Sequence, residues 1–149
     1  MRRALLSSVA LLVTVTVAAT AQKAESKQAA ASKMAALKWS DLRGDWASRS
    51  MTGTSDSVIA TSIITYGAHK KITVKYPNRP PVAAHLIDMA GDSVIIQTDK
   101  YESVTRPGHT VSVRITTHVA NHKSWGTFHG TFDDGKTLDG RIAADHKMK

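Results

Sequence analysis

From residue 93 to residue 119 the chain reads SVIIQTD, KYESVTRPGH and TVSVRITTHV. In the last run Val111, Val113, Ile115, Thr117 and Val119 fall on one face. Thr110, Ser112, Arg114, Thr116 and His118 fall on the other. That two-residue period is a strand with one buried and one wetted face. The rest of the chain repeats the style, which makes this an all-β, antiparallel domain.

Strands are expected over 44–51, 57–66, 71–76, 82–89, 93–99, 110–119, 125–132 and 137–144, where β-branched and aromatic residues dominate. Residues 39–43 read as one helical turn before the first strand. Pro77, Pro80 and Pro81 keep 77–81 out of a sheet centre, because proline offers no ladder donor. Arg106-Pro107-Gly108 suits a type II turn, with proline second and glycine third. Asp134-Gly135 reads as a two-residue hairpin turn with both residues at positive φ. That register puts Phe128 opposite Arg141; one extra residue in a bulge would reverse its face.

About eight short strands with short connections and no helix between them give an up-and-down meander. Closure into a barrel removes exposed edges, and a β-sandwich is the alternative. Gly126 and Gly130 alternate with Phe128 and Phe132, which permits the sharp coiling a small barrel needs.

Residues 1–21 have the pattern of an export signal: Met1-Arg2-Arg3, an apolar run from Ala4 to Val17, and Ala19-Thr20-Ala21. Cleavage is expected after Ala21, giving a periplasmic or secreted protein. Residues 22–37, rich in Ala, Lys, Ser and Gln, lack an apolar stripe and read as a flexible linker. The barrel domain is expected over 38–145, with 146–149 as a basic tail. There is no cysteine, so disulfides, thiol catalysis and thiolate metal sites are excluded. The net charge of +8 belongs mostly to the ends, since 38–145 carries 13 basic and 11 acidic residues. A nucleic-acid binder would concentrate that charge on its folded surface. Peripheral attraction of the basic ends to an anionic membrane is the more modest expectation.

Gly44-Asp45-Trp46, opening the first strand, resembles the Gly-x-Trp signature of the lipocalins and their calycin relatives. The resemblance implies an eight-stranded barrel and an Arg from the last strand, here Arg141, packed over Trp46. Thr98-Asp99-Lys100-Tyr101 is similar to the family's Thr-Asp-Tyr motif, with Lys100 where tyrosine is expected. Separately, the strip from Tyr101 to Gly108 resembles one in small exported bacterial proteins of unassigned function.

Tyr101, Glu102 and Arg106 are polar and aromatic groups on a loop, where binding residues concentrate. The plainer reading pairs Glu102 with Arg106 across a rigid turn. Together with Trp125 they are the candidate ligand-binding residues; Gly44, Trp46 and Arg141 form the structural signature. His118 could lie opposite His129 in a hairpin, with His122 at the turn, but no third ligand stands at a fixed offset. His85 reads as a wall residue. Asp133 and Asp134 read as turn residues beside Gly135. No Gly-x-Ser-x-Gly elbow is present. No enzyme activity, cofactor, metal or nucleic-acid partner is expected.

The resulting expectation is an exported lipocalin-like barrel that binds a small apolar or amphipathic molecule. The alternative is a filled barrel that meets envelope components through its loops, without a small ligand. Inward residues such as Val94, Ile96, Val111, Val113 and Ile115 are medium-sized and compatible with both.

Overall fold

The computed structural model describes residues 36–148. The expected signal and nearly all of the expected linker lie outside them. A helical turn, α1 (Trp39–Leu42), leads into β1 (Gly44–Thr52), β2 (Val58–Tyr66), β3 (Ile72–Lys75), β4 (Val82–Ala90) and β5 (Ser93–Thr98). Then follow β6 (Tyr101–Glu102), β7 (Thr110–Ala120), β8 (Lys123–Phe132) and β9 (Thr137–Lys147). The strand order is β5-β4-β3-β2-β1-β9-β8-β7-β6, and β5 pairs with β7 to close the sheet. All pairings are antiparallel. The result is a closed eight-stranded barrel with the two-residue β6 beside it, consistent with a lipocalin-like fold.

The alternation expected of β7 holds. Val111, Val113, Ile115 and Thr117 are buried, while Arg114 and His118 are exposed. Val94 and Ile96 on β5 complete the same core with Phe128, Phe132 and Ile142. Two hydroxyls inside are satisfied by each other: Ser48 Oγ and Ser62 Oγ lie 2.6 Å apart. At the last residue of β5, beyond its final pair with β7, the Thr98 hydroxyl accepts from the Val113 amide at 2.9 Å and stands in for a ladder partner. Gly126 is required by close approach, because a Cβ there would collide with the Thr116 carbonyl oxygen.

The turn between β8 and β9 differs from the expected one. Phe132 N donates to Lys136 O at 2.9 Å and Gly135 N donates to Phe132 O at 3.0 Å. Asp133, Asp134 and Gly135 therefore form a three-residue loop, and only Gly135 has positive φ, at 79°. The extra residue shifts the ladder: Phe128 faces Gly140, and Arg141 faces Thr127 on the outer wall. β9 also runs on to Lys147, so His146 and Lys147 belong to the sheet rather than to a tail.

The α1 end of the barrel is plugged. Leu42 and Trp46 are among the most deeply buried side chains, and Trp46 Nε1 donates to Leu42 O at 2.7 Å. Trp39 donates its indole N–H to Gly67 O at 3.0 Å and meets Tyr66 edge-on at 5.7 Å. The partner of Trp46 across β1 and β9 is His146, with ring centroids 4.8 Å apart. Gly44 makes room for that ring: its φ is 124°, and a Cβ would sit 2.6 Å from His146 Nε2. Arg141 lies far along the strand, opposite Met51, with its guanidinium on Asp56 and the Ser55 carbonyl at 3.1 and 2.9 Å. The expected Arg141–Trp46 contact is thus absent. The three-residue turn sends Arg141 outward, and the longer β9 brings His146 to the indole.

At one place the wall forks. β2 pairs with β3 only from Ile63 to Tyr66, so 58–62 has β1 as its sole ladder neighbour. The cause is local. Arg79 N donates to Tyr76 O at 3.3 Å, with Pro77 second and Asn78 third at φ 56°. That is a type II turn, and it leads the chain away from β2.

Candidate functional site

The end opposite α1 is closed by the segment that follows β6. Ser103 Oγ accepts from the amides of Thr105 and Arg106 at 3.1 and 3.0 Å, tightening the first bend. His109 N donates to Arg106 O at 3.2 Å, with Gly108 at φ 83°, which is the type II turn expected at Pro107-Gly108. Ser103 N donates to His109 O at 2.8 Å and ties the two ends of the loop together.

A latch holds this loop to the β8–β9 turn. Arg106 Nη2 and Nη1 donate to the two oxygens of Asp134 at 2.9 and 3.3 Å, and its guanidinium carbon lies 4.5 Å from the Phe132 ring centroid. His109 Nδ1 meets Asp133 Oδ1 at 2.9 Å, and the Thr110 amide donates to Asp133 Oδ2 at 3.1 Å. The hydrogen bonds from Arg106 hold the Asp134 carboxyl well below the usual carboxylate range. The His109 and Thr110 contacts lower Asp133 in the same direction. By sequence Asp133 and Asp134 are turn residues alone, and His109 carries no signal. Nothing in the linear order signals that a loop 24 residues upstream reaches them.

His109, Asp133 and Asp134 also bring one ligand atom each within 4.8 Å, a spacing that suits a metal ion. In this structure Arg106 already supplies a cation to Asp134 through two hydrogen bonds. The donor set is matched internally and reads as a fastening.

Tyr101 packs flat against Tyr76, with centroids 5.3 Å and hydroxyls 2.7 Å apart. Burial pushes both phenols above their ordinary pKa. Beneath this pair is a cavity of about 40 Å³, bordered by Tyr76, Tyr101, Val104, Val113, Phe128 and Leu138. At roughly 10–15 Å³ per water, it has room for a few waters. A site for a drug-sized ligand needs roughly 300–1,000 Å³. The interior at the Trp46 end is tighter still, with about 10 Å³ free.

The four candidate ligand residues do not converge. Glu102 does not pair with Arg106, whose partner is Asp134; the Glu102 carbonyl instead accepts from Arg79 Nη1 at 2.7 Å. Trp125 is 48 % exposed on the outer wall, opposite His118. His118 is seven residues along β7 from the Tyr101 partner Val111, about 23 Å at strand rise. His118 also fails to face His129, which lies opposite Arg114. The outer histidines pair singly with aspartates: His118 with Asp92 at 3.1 Å, His129 with Asp139 at 2.6 Å and His85 with Asp99 at 2.8 Å. His122 stacks on His146 at 5.7 Å.

Comparison of the chain with family models, with curated proteins and with solved structures finds no match. The likeness of 101–108 to a strip in exported bacterial proteins therefore gains no support; the closed barrel is consistent with a lipocalin-like fold.

Proposed function

We propose that this chain is an exported, filled lipocalin-like barrel that works by binding components of the cell envelope through its loops and outer wall. One observation carries the reading: the interior spaces are small, about 40 Å³ beneath Tyr76 and Tyr101 and about 10 Å³ at the Trp46 end. A barrel of eight strands is just wide enough for its own side chains to fill, and here they do. Export rests on the sequence pattern of residues 1–21. The fastening of 103–109 by Arg106, Asp134, His109 and Asp133 supports a rigid end that presents a fixed shape, which lowers the ordering cost of association.

A second reading, a carrier of a small apolar molecule, draws on the apolar wall under that loop: Val104, Val113, Phe128 and Leu138. It requires the latch to open and the cavity to grow roughly tenfold to reach an ordinary ligand volume.

The test is a photo-crosslinking side chain placed at Thr105, in the loop, and at Trp125, on the wall, in intact host cells. The surface-binding reading expects adducts of macromolecular mass from at least one position. Absence of adducts at both, with a small molecule retained by the purified protein, contradicts it.

A further inference from the structure

We infer that the fork between β2 and β3 is a docking edge for an extended, acidic segment of another protein, which would add a strand beside residues 58–62. This rests on the surface-binding reading above and names where and what it binds.

The edge is open for a local reason. Pro77 has no amide hydrogen, and the turn it starts uses the Tyr76 carbonyl for the Arg79 amide. Pro80 and Pro81 offer no donors either. Nothing on the β3 side therefore replaces the ladder beyond the Ile63–Lys75 pair. Residues 58–62, about 17 Å of strand, point alternate N–H and C=O groups toward that side. Among the described residues, no loop or turn backbone hydrogen-bonds to them there. Native proteins guard such edges with charge, proline or bulges. This stretch, Val58-Ile59-Ala60-Thr61-Ser62, has no charge and no proline, and Val58 is 48 % exposed; its one guard is a bulge at Ile59, where the β1 register steps from Ser50–Ala60 to Met51–Val58, so the regular edge is 60–62.

A groove of about 540 Å³ meets the edge at Thr61 and Ser62, where the fork opens, and is bordered further by Ala47, Arg49, Lys75 and Pro77. Tyr76 and Ser62 border both this groove and the inner cavity, and Ile59 and Ala60 turn toward the cavity, so an incoming strand would continue the barrel wall at the fork. Arg49 is matched by Asp145 at 3.3 Å. Lys75 is exposed and forms no ion pair among the described residues. The groove is thus left with one unmatched positive charge. That charge favours a carboxylate on the incoming strand, and it disfavours a second copy, which would bring its own Lys75 against this one. Main-chain pairing would supply affinity and the position of the acidic side chain specificity.

The test uses the full chain and two synthetic peptides, Ser-Thr-Val-Glu-Val-Thr-Ser and its Lys-for-Glu twin. Amide hydrogen exchange is followed at 58–62. With the acidic peptide at about ten times its Kd, exchange at alternate amides of 58–62 should slow about tenfold. The basic twin should protect less, and Lys75→Glu, an exposed change that leaves the core intact, should reverse the preference. Three results would overturn the inference: no protection at 58–62 by either peptide, equal protection by both with no effect of Lys75→Glu, or amides already slow in a free protein of dimeric mass. The last would make a second copy the occupant. None of the three touches cross-linking from Thr105 or Trp125, so this inference and the surface-binding reading fail separately.

Discussion

Arg106 and Asp134 meet as a two-pronged pair, Nη2 to Oδ2 at 2.9 Å and Nη1 to Oδ1 at 3.3 Å, joining the loop after β6 to the turn after β8. Both sides depend on turn chemistry. Gly108 lets the loop fold back so that Arg106 points across the barrel end, and Gly135 lets Asp134 sit at the tip of its hairpin.

Breaking that pair should loosen the loop without unfolding the barrel. Arg106→Ala and Asp134→Asn are both expected to speed amide exchange over 103–109 while leaving β7 and β8 protected. Arg106→Lys should restore the loop only in part, because a lysine is a point charge without the planar fork. Unchanged exchange over 103–109 in Arg106→Ala would show that the latch holds nothing.

The same pair fixes a direction for pH. Asp133 and Asp134 have carboxyl pKa values lowered in the folded state. Their stabilisation is fully present above the unfolded carboxylate value, about pH 4, and is lost as pH falls through the folded values. Urea midpoints should therefore drop below about pH 4, and drop less in Asp134→Asn, which has one carboxylate fewer to protonate. An acid dependence identical to that of the parent would contradict this.

The core face of β7 is testable by charge insertion. Val113 is buried, and Thr116 sits on the outer face opposite Thr127. Val113→Asp should cost several kcal/mol in a denaturant titration, and Thr116→Asp little. Equal losses would refute the register.

Trp46 and His146 should be coupled, and Trp46 and Arg141 should not. Trp46→Ala is expected to cost roughly 3–5 kcal/mol, as for other large buried aromatics. A double-mutant cycle with His146→Ala should show a nonzero coupling, since the rings are 4.8 Å apart. The cycle with Arg141→Ala should be additive. Coupling to Arg141 and none to His146 would reverse this account of the plugged end.

How far the sequence reached depends on how local each cause is. Eight of the nine strands follow two-residue alternation, and their order follows short connections, so both were legible; the two-residue β6 lies in what reads as a loop, being too short to show a period. The Arg106–His109 turn was legible because proline and glycine impose their own dihedrals. The face of Arg141 was not, because it depended on whether Asp133 joins the loop; one residue there inverts every side chain on β9. His146 was hidden by a strand that continues past Ala144 with Asp145, His146 and Lys147, residues that resemble a tail by composition. The latch was hidden because Arg106 had a nearer candidate in Glu102, and Asp134 is reached only through the closed barrel.

The central claim is that the interior is filled by the protein's own side chains. Native mass spectrometry of the protein purified from its own host tests it most directly. The account predicts the mass of the polypeptide alone, with nothing small released on denaturation. A small molecule held in stoichiometric amount, and lost when Val113→Phe fills the space beneath Tyr101, would contradict it.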